Sequence, residues 1–325
     1  MKPHHLVLAC AVLLSIALRA HADTTRAGAY PDHWVKVIVP YPAGGPIDLA
    51  TRILGQKLSQ DWSQPVVIEN RAGGSSAVGA SIVAHAPPDG YTLLAAMDTT
   101  LVFNPITVPN LSYDPKAFAP ISLTTNNTPL LIVPAAGPRS TRELIDRAKS
   151  APGKLTYGAG VLPARLAGYL FNKLAKIQTT EVVYHGSAEI VEALLNGSIN
   201  YSFDGLSASL PMISAGKLRP LAKLAAHPLS PFPALPKLSD DAGLPALADI
   251  SVWSGIVAPA GTPPAIVGKI QKSIARALAE PEVADRLDKM GISVLSSTPD
   301  EFQRLIDEET MHWTKIIRDG GLKMQ

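Results

Sequence analysis

Short apolar segments alternate with amphipathic segments along most of the chain. Buried strands are predicted at 35–39, 66–68, 91–97, 130–133, 155–157, 182–184 and 199–203. Apolar residues at helical spacing, such as Ile47, Leu54 and Leu58, predict a helix over 47–58. An alternation of this kind is typical of an α/β fold, and we expect helices to cover mostly parallel sheets.

Capping signals predict where further helices begin and end. Ser140 and Glu143 have the spacing of a capping box that opens a helix to about residue 149. Thr298, Pro299 and Glu301 supply the N-cap, N1 and N3 positions of a final helix. Other helices are predicted at about 77–86, 166–176, 188–196 and 207–215, the last two ending at a glycine. The Pro-rich stretch 227–249 is interpreted as a long surface connection.

The N-terminus has the pattern of a secretory signal peptide. Basic residues precede an apolar run over 6–18, and an A-x-A pattern ends at Ala22. We expect cleavage after Ala22 and export to the periplasm. Cys10, the only cysteine, would leave with residues 1–22, so no disulfide or thiolate site is expected in the remaining chain.

The charge balance argues against nucleic acid as a partner. Lys2 and Arg19 are the only Lys or Arg of the leader, so the remaining chain has 27 basic and 27 acidic residues. Binding to phosphate backbones requires clustered Lys and Arg, and the sequence has no such run.

The residues that follow the predicted strands are rich in Gly, Ser and Thr. These strand ends read PYPAGG (40–45), NRAGGSS (70–76), MDTT (97–100), YGAG (157–160), YHGSA (184–188) and FDGLS (203–207). Ligands of open α/β sheets bind outside the carboxyl ends of strands. Gly44 and Gly45 directly precede a predicted helix, whose N-terminus offers free N–H groups to an anion. We therefore expect an anion, such as a carboxylate, at this loop.

The sequence lacks motifs for catalysis or metal binding. It has no G-x-S-x-G nucleophile elbow, and Pro163 stands where the third glycine of a dinucleotide fingerprint would follow Gly158 and Gly160. The histidines beyond the leader are scattered and form no H-x-H or H-E-x-x-H pattern. We expect no enzymatic activity, no metal and no cofactor.

An ordered series of segments resembles the substrate-binding proteins of tripartite tricarboxylate transporters, the Bug receptors. The segments are VIVPYPAGGPIDLATRI, VVIENRAGG, APPDGYTLL, NPI, LSYDPKAFAPIS, ELIDRAKSAPGKLTYG, YHGSAEIVEALLNG, GKLRPLA, APAGTPPAIV and PDEFQRLIDEE with Trp313. They extend from about Pro31 to Gly320. No single motif is specific, but their number and order are.

The resemblance implies a fold like that of type II periplasmic binding proteins, with two α/β lobes around a ligand cleft. Residues 30–128 together with 252–325 would form lobe 1, and residues 129–251 would form lobe 2. The resemblance also implies capture of a small organic carboxylate and its delivery to the membrane permease subunits of a tripartite transporter. We expect the protein to act as a monomer.

The resemblance further implies where the ligand binds. Family receptors hold a carboxylate largely through backbone amides and bridging waters, in loops that match 41–45, 98–100, 158–161 and 184–187 here. Asp204 matches a position where an acidic residue can face a ligand amine or hydroxyl. Ser75 of a strand-end loop and Asp48 of the predicted helix over 47–58 complete the set. The predicted ligand-binding residues are Tyr41, Ala43, Gly44, Gly45, Asp48, Ser75, Asp98, Thr99, Thr100, Gly158, Ala159, Gly160, Tyr184, His185, Gly186, Ser187 and Asp204.

Several side chains have two interpretations. Asp48 either meets the ligand or lies in a first helical turn for the helix dipole. Arg165, which stands where family members often have His, either clamps a second carboxylate or lies at a solvated helix start. Trp253 and Trp313 are expected in the core, and Arg71 is expected to hold its loop together with Glu69. The segment 157–166 is also about two residues shorter than in family members, which favours a changed substrate.

Two other functions stay open from sequence. A receptor of this kind can report its ligand to a membrane signalling protein instead of a permease. An enzyme on the same fold is the third possibility, which the missing nucleophile and metal motifs disfavour.

Overall fold

The computed structural model describes residues 30–224, 229, 231–245, 247 and 250–319. The predicted leader and its cleavage site lie outside the described residues, as do parts of the connection predicted over 227–249. Within the described ranges, no helix is long and apolar enough to cross a membrane.

The described strands form two sheets. The strands of the first sheet are β1 (Val35–Val39), β2 (Val66–Asn70), β3 (Thr92–Met97), β4 (Phe118–Asn127), β10 (Val252–Pro259) and β11 (Ser293–Val294), in the order β11-β4-β10-β3-β1-β2. Those of the second sheet are β5 (Pro129–Pro134), β6 (Thr156–Ala159), β7 (Thr180–Val183), β8 (Tyr201–Gly205) and β9 (Leu218–Lys223), in the order β7-β6-β8-β5-β9.

Helices follow most strands and pack against the sheets, so the predicted α/β class is confirmed. The helices before the second sheet are α1 (Pro46–Trp62), α2 (Ala77–Ala84), a π-helical turn (Thr99–Phe103), α3 (Asn104–Thr107) and a 3-10 turn (Pro115–Ala117). Those that follow are α4 (Thr141–Ser150), α5 (Leu162–Ala175), α6 (Ser187–Leu195), α7 (Leu206–Ser214), α8 (Leu238–Asp241), α9 (Pro264–Ala279), α10 (Pro281–Asp288) and α11 (Pro299–Asp319).

Both sheets are mixed, so the expectation of mostly parallel sheets is wrong. β1 pairs in parallel with β2 and β3, and β6 pairs in parallel with β7 and β8. The pairs β3–β10, β10–β4, β4–β11, β8–β5 and β5–β9 are antiparallel. Four of these five antiparallel pairs contain β5 or β10, the strands with which the chain enters one sheet from the other. Neither strand is joined to its neighbours in the sheet by the helical crossover that parallel pairing needs.

The chain passes between the sheets at two places. It leaves the first sheet after Asn127, enters the second at Pro129, and is back in the first sheet at Val252. Strands β1–β4, β10 and β11 thus lie in one sheet, and strands β5–β9 lie in the other. The two predicted lobes would require this division. The lobe boundaries at 128/129 and 251/252 stay a prediction.

Local capping signals set several helix ends as predicted. The Ser140 hydroxyl accepts a hydrogen bond from the Glu143 N–H at 3.1 Å. Thr298 and Glu301 form a reciprocal capping box at the start of α11. α5 begins four residues earlier than predicted, at Leu162, because Pro163 is tolerated in a first turn, where its missing N–H has no intrahelical acceptor.

Candidate functional site

A cavity of about 600 Å³ lies where residues of the two sheets face each other. Its lining comes from the carboxyl end of β4, the segments after β1, β6 and β7, and the β8–α7 junction. The lining also includes the start of β10 and the residues after α10. This is the location expected for a ligand of an open α/β sheet.

The N-termini of α1, α5, α6 and α7 all reach this cavity. Their N-cap residues are Gly45, Val161, Gly186 and Gly205, and none of these helices has a side-chain cap at its start. The first N–H groups of a helix have no intrahelical acceptor and carry the positive end of the dipole. The cavity is therefore lined by backbone donors suited to an anion.

The loop before α1 is held by the Asp48 carboxylate. Asp48 accepts hydrogen bonds from the Gly44 N–H at 2.8 Å and from the Asn70 side-chain amide at 2.9 Å. Arg52 completes the arrangement with an ion pair at 3.0 Å. Asn70 also donates to the Tyr41 carbonyl at 3.2 Å. Burial acts to raise the pKa of Asp48, but these hydrogen bonds together hold it below its usual value.

Asp204 is the buried charged group of the second sheet's side of the cavity. The residue is 7% exposed, and one carboxylate oxygen accepts a hydrogen bond from the Ser187 hydroxyl at 2.8 Å. Burial raises the pKa of Asp204 to about 6, although Ser187 and the Gly205 N–H favour the ionised form. The other carboxylate oxygen is buried without a hydrogen-bond partner.

Apolar side chains form much of the remaining wall. Trp253 is 2% exposed, lines the cavity, and is joined there by Met97, Leu210, Met290 and Ile292. Behind the wall, the Trp253 indole N–H donates to Glu309 at 2.9 Å. Burial raises the pKa of Glu309 to about 7, and the indole hydrogen bond acts in the opposite direction.

Nine of the predicted ligand-binding residues line the cavity. They are Tyr41, Ala43, Gly44, Gly45, Gly160, His185, Gly186, Ser187 and Asp204. The structure brings these residues together from segments far apart in the sequence. Their contact with a ligand stays a prediction.

The predicted residues 98–100 lie behind the cavity wall. Asp98 and Thr99 are buried, and Asp98 accepts a hydrogen bond from the Thr99 N–H. The Thr100 hydroxyl bonds the Tyr41 hydroxyl at 3.1 Å and donates to Ser76 at 2.9 Å. Thr100 thus positions Tyr41, and none of the three residues lines the cavity. The reason is that β3 runs directly into a buried π-helical turn.

The other predicted residues outside the lining are Asp48, Ser75, Gly158, Ala159 and Tyr184. Ser75 is exposed, and its carbonyl accepts a hydrogen bond from Asn104 at 2.6 Å. Gly158 and Ala159 are buried strand residues, and a Cβ on Gly158 would lie 3.1 Å from the Tyr184 ring. Asp48 lies in the first turn of α1, as the second of its two interpretations predicts, and it also holds the preceding loop through the Gly44 N–H.

The two arginines singled out from the sequence form ion pairs outside the lining. Arg165 makes a bidentate pair with Glu181, at 2.9 and 3.0 Å. Arg71 pairs with Glu69, as predicted for a residue that holds its loop. Because Arg165 pairs with Glu181 outside the lining, this geometry does not support a clamp by Arg165 on a second carboxylate.

Sequence reasoning missed several lining residues. Thr125 and Asn127 come from the end of β4, Ser254 from β10 and Met290 from the turn after α10. Trp253 was expected only in the core, and it is both buried and part of the cavity wall. Among the described residues, no group of three or more His, Cys, Asp or Glu is placed to hold a metal ion.

Residues 50–322 match the tripartite tricarboxylate transporter family receptor. A protein of Pseudomonas sp. (strain P51), described as a UPF0065 protein in the tcbD-tcbE intergenic region, is 33% identical over 315 residues. That match covers 94% of this chain and 93% of the relative.

Solved structures with the same fold include a periplasmic binding protein, BugD, with a TM-score of 0.82 and 26% identity over 91% of this chain and 100% of BugD. An R. palustris protein solved with adipate has a TM-score of 0.84 and 31% identity, over 90% of this chain and 98% of that one. MatC from Rhodopseudomonas palustris, with bound malate, has a TM-score of 0.79 and 29% identity, over 89% and 100% of the two chains.

Proposed function

Because this chain belongs to the tripartite tricarboxylate transporter receptor family, we propose that it is an exported receptor for a small organic carboxylate. It delivers this ligand to the permease subunits of a tripartite transporter. The observation that carries the proposal is the convergence of four helix N-termini without side-chain caps on one cavity.

The chemistry of the cavity suits a carboxylate. Each helix N-terminus supplies N–H donors and a partial positive charge, which attract an anion without a basic side chain. The Asp48 carboxylate accepts a hydrogen bond from the Gly44 N–H, so the backbone of this loop is ordered before the ligand arrives. The solved neighbours with adipate and malate support a carboxylate ligand here.

The ligand would act by joining the two sides of the cavity. α1 belongs to the first sheet's side, whereas α6 and α7 belong to the second sheet's side. A carboxylate that contacts both sides binds a closed arrangement better than an open one, which is the condition for ligand-driven closure. The closed, loaded form is then the one that a permease recognises. We infer that the protein binds its ligand unchanged and is not an enzyme.

The proposal is tested by blocking the loop. A Cβ on Gly45 would meet only the Pro42 carbonyl oxygen, at 3.6 Å, so Gly45→Trp is compatible with folding and places an indole at the cavity. Gly268→Trp is the matched control, because a Cβ at Gly268 has nothing within 4 Å and Gly268 is not in the lining. Binding is measured by titration calorimetry with the carboxylate that binds wild type most tightly in a panel.

Gly45→Trp is expected to abolish measurable binding, while Gly268→Trp keeps the wild-type affinity. Both variants should unfold within about 2 °C of wild type. Unchanged affinity in folded Gly45→Trp would contradict the site. Delivery is tested separately, by uptake of the same carboxylate into cells that carry the permease pair with and without this receptor. Uptake that does not depend on the receptor would contradict the transport role alone.

A further inference from the structure

Two carboxyl groups lie behind Trp253 in the cavity wall. The Trp253 ring packs edge-on against Phe302 of α11, with ring centroids 5.4 Å apart, and its indole N–H donates to the Glu309 carboxylate at 2.9 Å. Asp98, which precedes the π-helical turn, is completely buried, and its Oδ2 has no hydrogen-bond partner among the described residues. Glu309 is therefore in direct contact with a residue that lines the cavity.

The surroundings of both acids disfavour a negative charge. Burial raises the pKa of Glu309 to about 7, although the indole hydrogen bond acts in the opposite direction. Burial also raises the pKa of Asp98 well above its usual value, and the nearby Glu309 carboxyl adds to this increase. Of the two acids, Glu309 is the one that holds the indole and changes its charge close to neutral pH.

Glu309 has no basic partner among the described residues. α11 packs against β4, the π-helical turn and α9, and Trp253 belongs to β10. β4 and β10 contain no titratable residue, and Asp98 is the titratable group at the turn. The pKa of Glu309 responds to burial and to the Trp253 indole, and not to the bases of these surroundings. Those bases are Lys269, Lys272 and Arg276 of α9 and His312 of α11.

A carboxylate ligand in the cavity repels an ionised Glu309. Two like charges about 10 Å apart, at an effective dielectric of about 25–50, change an affinity by about three- to tenfold. Within the lining, His185 and Lys289 are exposed, so water and salt screen their charges. Asp204 is buried and adds negative charge to the cavity when it is ionised. Binding of an anion therefore favours the protonated form of Glu309.

On the premise of the proposed function, we infer that Glu309 couples capture of an anionic ligand to uptake of a proton. It acts as a positioning residue, because it fixes Trp253 in the cavity wall and does not itself contact the ligand. A solvent proton adds to the Glu309 carboxylate as the ligand binds and returns to solvent as the ligand leaves. The indole hydrogen bond is retained in both states, because a protonated carboxyl still offers an acceptor oxygen. The receptor therefore holds its carboxylate more tightly at low pH than at high pH.

Titration calorimetry of wild type measures the proton directly. The probe is the compound that binds most tightly among adipate, malate, benzoate and phenylacetate, all of which are ionised above pH 6.5. Titrations at pH 7.5 in phosphate, HEPES and Tris, whose ionisation enthalpies differ, give the number of protons taken up per ligand. We expect about 0.3–0.5 protons, and a loss of affinity by about three- to sevenfold between pH 6.5 and pH 9.

Glu309→Gln separates the charge from the support of the wall. The Gln side chain still accepts the indole hydrogen bond at its oxygen but carries no charge. Proton uptake should disappear, and at pH 9 the variant should bind about three- to tenfold more tightly than wild type. A residue that only supports the wall would instead lose affinity at every pH. Glu308→Gln is the matched control, because Glu308 is the exposed neighbour on the same helix, and it should keep the wild-type uptake and affinity.

Each other outcome overturns a defined part of the account. Wild-type binding without proton uptake would overturn the inference and leave the carboxylate receptor standing. Uptake that persists in Glu309→Gln would assign the proton to another group, such as His185 or Asp204, and would also overturn the inference. Because uptake is measured first on wild type, the test does not depend on the folding of a variant. Absence of binding by all four compounds would overturn the proposed function together with the inference.

Discussion

Replacing Asp48 with Ala is expected to destabilise the protein and to loosen the loop that faces the cavity. The Asp48 carboxylate connects the start of α1 to the backbone of that loop and to Asn70 at the end of β2. Alanine removes every one of these hydrogen bonds and leaves the helix otherwise intact. The substitution therefore isolates what the carboxylate does for the loop.

The magnitude follows from the groups left without a partner. The Gly44 N–H loses its acceptor at 2.8 Å in a partly buried position, which costs about 1–3 kcal/mol. Arg52 is 46% exposed, so loss of its ion pair contributes less than about 1 kcal/mol. Asn70 keeps its bond to the Tyr41 carbonyl. We expect a total of about 1–4 kcal/mol, or a drop in midpoint of roughly 2–16 °C.

Urea unfolding of wild type, Asp48→Ala, Asn70→Ala and the double variant measures this directly. A double-mutant cycle should give a coupling of about 0.5–3 kcal/mol between the two side chains, because they share one hydrogen bond. Asp48→Asn retains an acceptor and should lose less than Asp48→Ala. A change below about 0.5 kcal/mol for Asp48→Ala would refute the view that Asp48 holds the loop, and a loss of ligand affinity without loss of stability would favour direct ligand contact instead.

Two further predictions concern buried groups. The free energy of unfolding should fall by on the order of a few kcal/mol as pH rises from about 4 to 7. Burial raises the pKa of Asp204 to about 6 and that of Glu309 to about 7. In this pH range the folded protein therefore holds protons that the unfolded chain has released. Urea midpoints that rise across this pH range would contradict this prediction. So would midpoints that fall as much in the double variant Asp204→Asn, Glu309→Gln as in wild type. Gly168→Ala should cost about 1–3 kcal/mol in the same assay, because its Cβ would lie 2.2 Å from the Tyr157 ring. Gly268→Ala is the control, since its Cβ meets no atom within 4 Å inside α9 and should not destabilise the protein; equal losses in the two variants would refute the packing argument.

The loops that begin α1 and α6 could be predicted because their signals are local. PYPAGG and YHGSA each place small residues between an apolar strand and an amphipathic helix, and both segments line the cavity. The same kind of signal was misleading at MDTT. There the strand runs into a π-helical turn whose Thr100 packs behind Tyr41. Tertiary packing, which the local pattern does not contain, decides between these outcomes.

The rest of the site depends on pairing between distant parts of the chain. Asn127 and Trp253 reach the cavity because β4 and β10 lie antiparallel, with Val252 opposite Asn127. Neither strand was predicted, since their apolar positions do not alternate clearly and the partner strand is far away in sequence. Asp204 was predicted, but Asn127, which packs against the neighbouring Gly205, reaches this place only through the arrangement of the two sheets.

The central claim, a receptor for a carboxylate, is tested most directly by a thermal-shift screen of the purified protein. The panel holds mono-, di- and tricarboxylates, aromatic carboxylates, amino acids, sugars and phosphate. A ligand at about 100 times its Kd adds roughly 2.7 kcal/mol of stability, which corresponds to a shift of several degrees. The account predicts such a shift with one class of carboxylate-bearing compounds and none with sugars or phosphate. A shift with sugars or phosphate alone, in protein unfolded and refolded to remove any retained ligand, would contradict it.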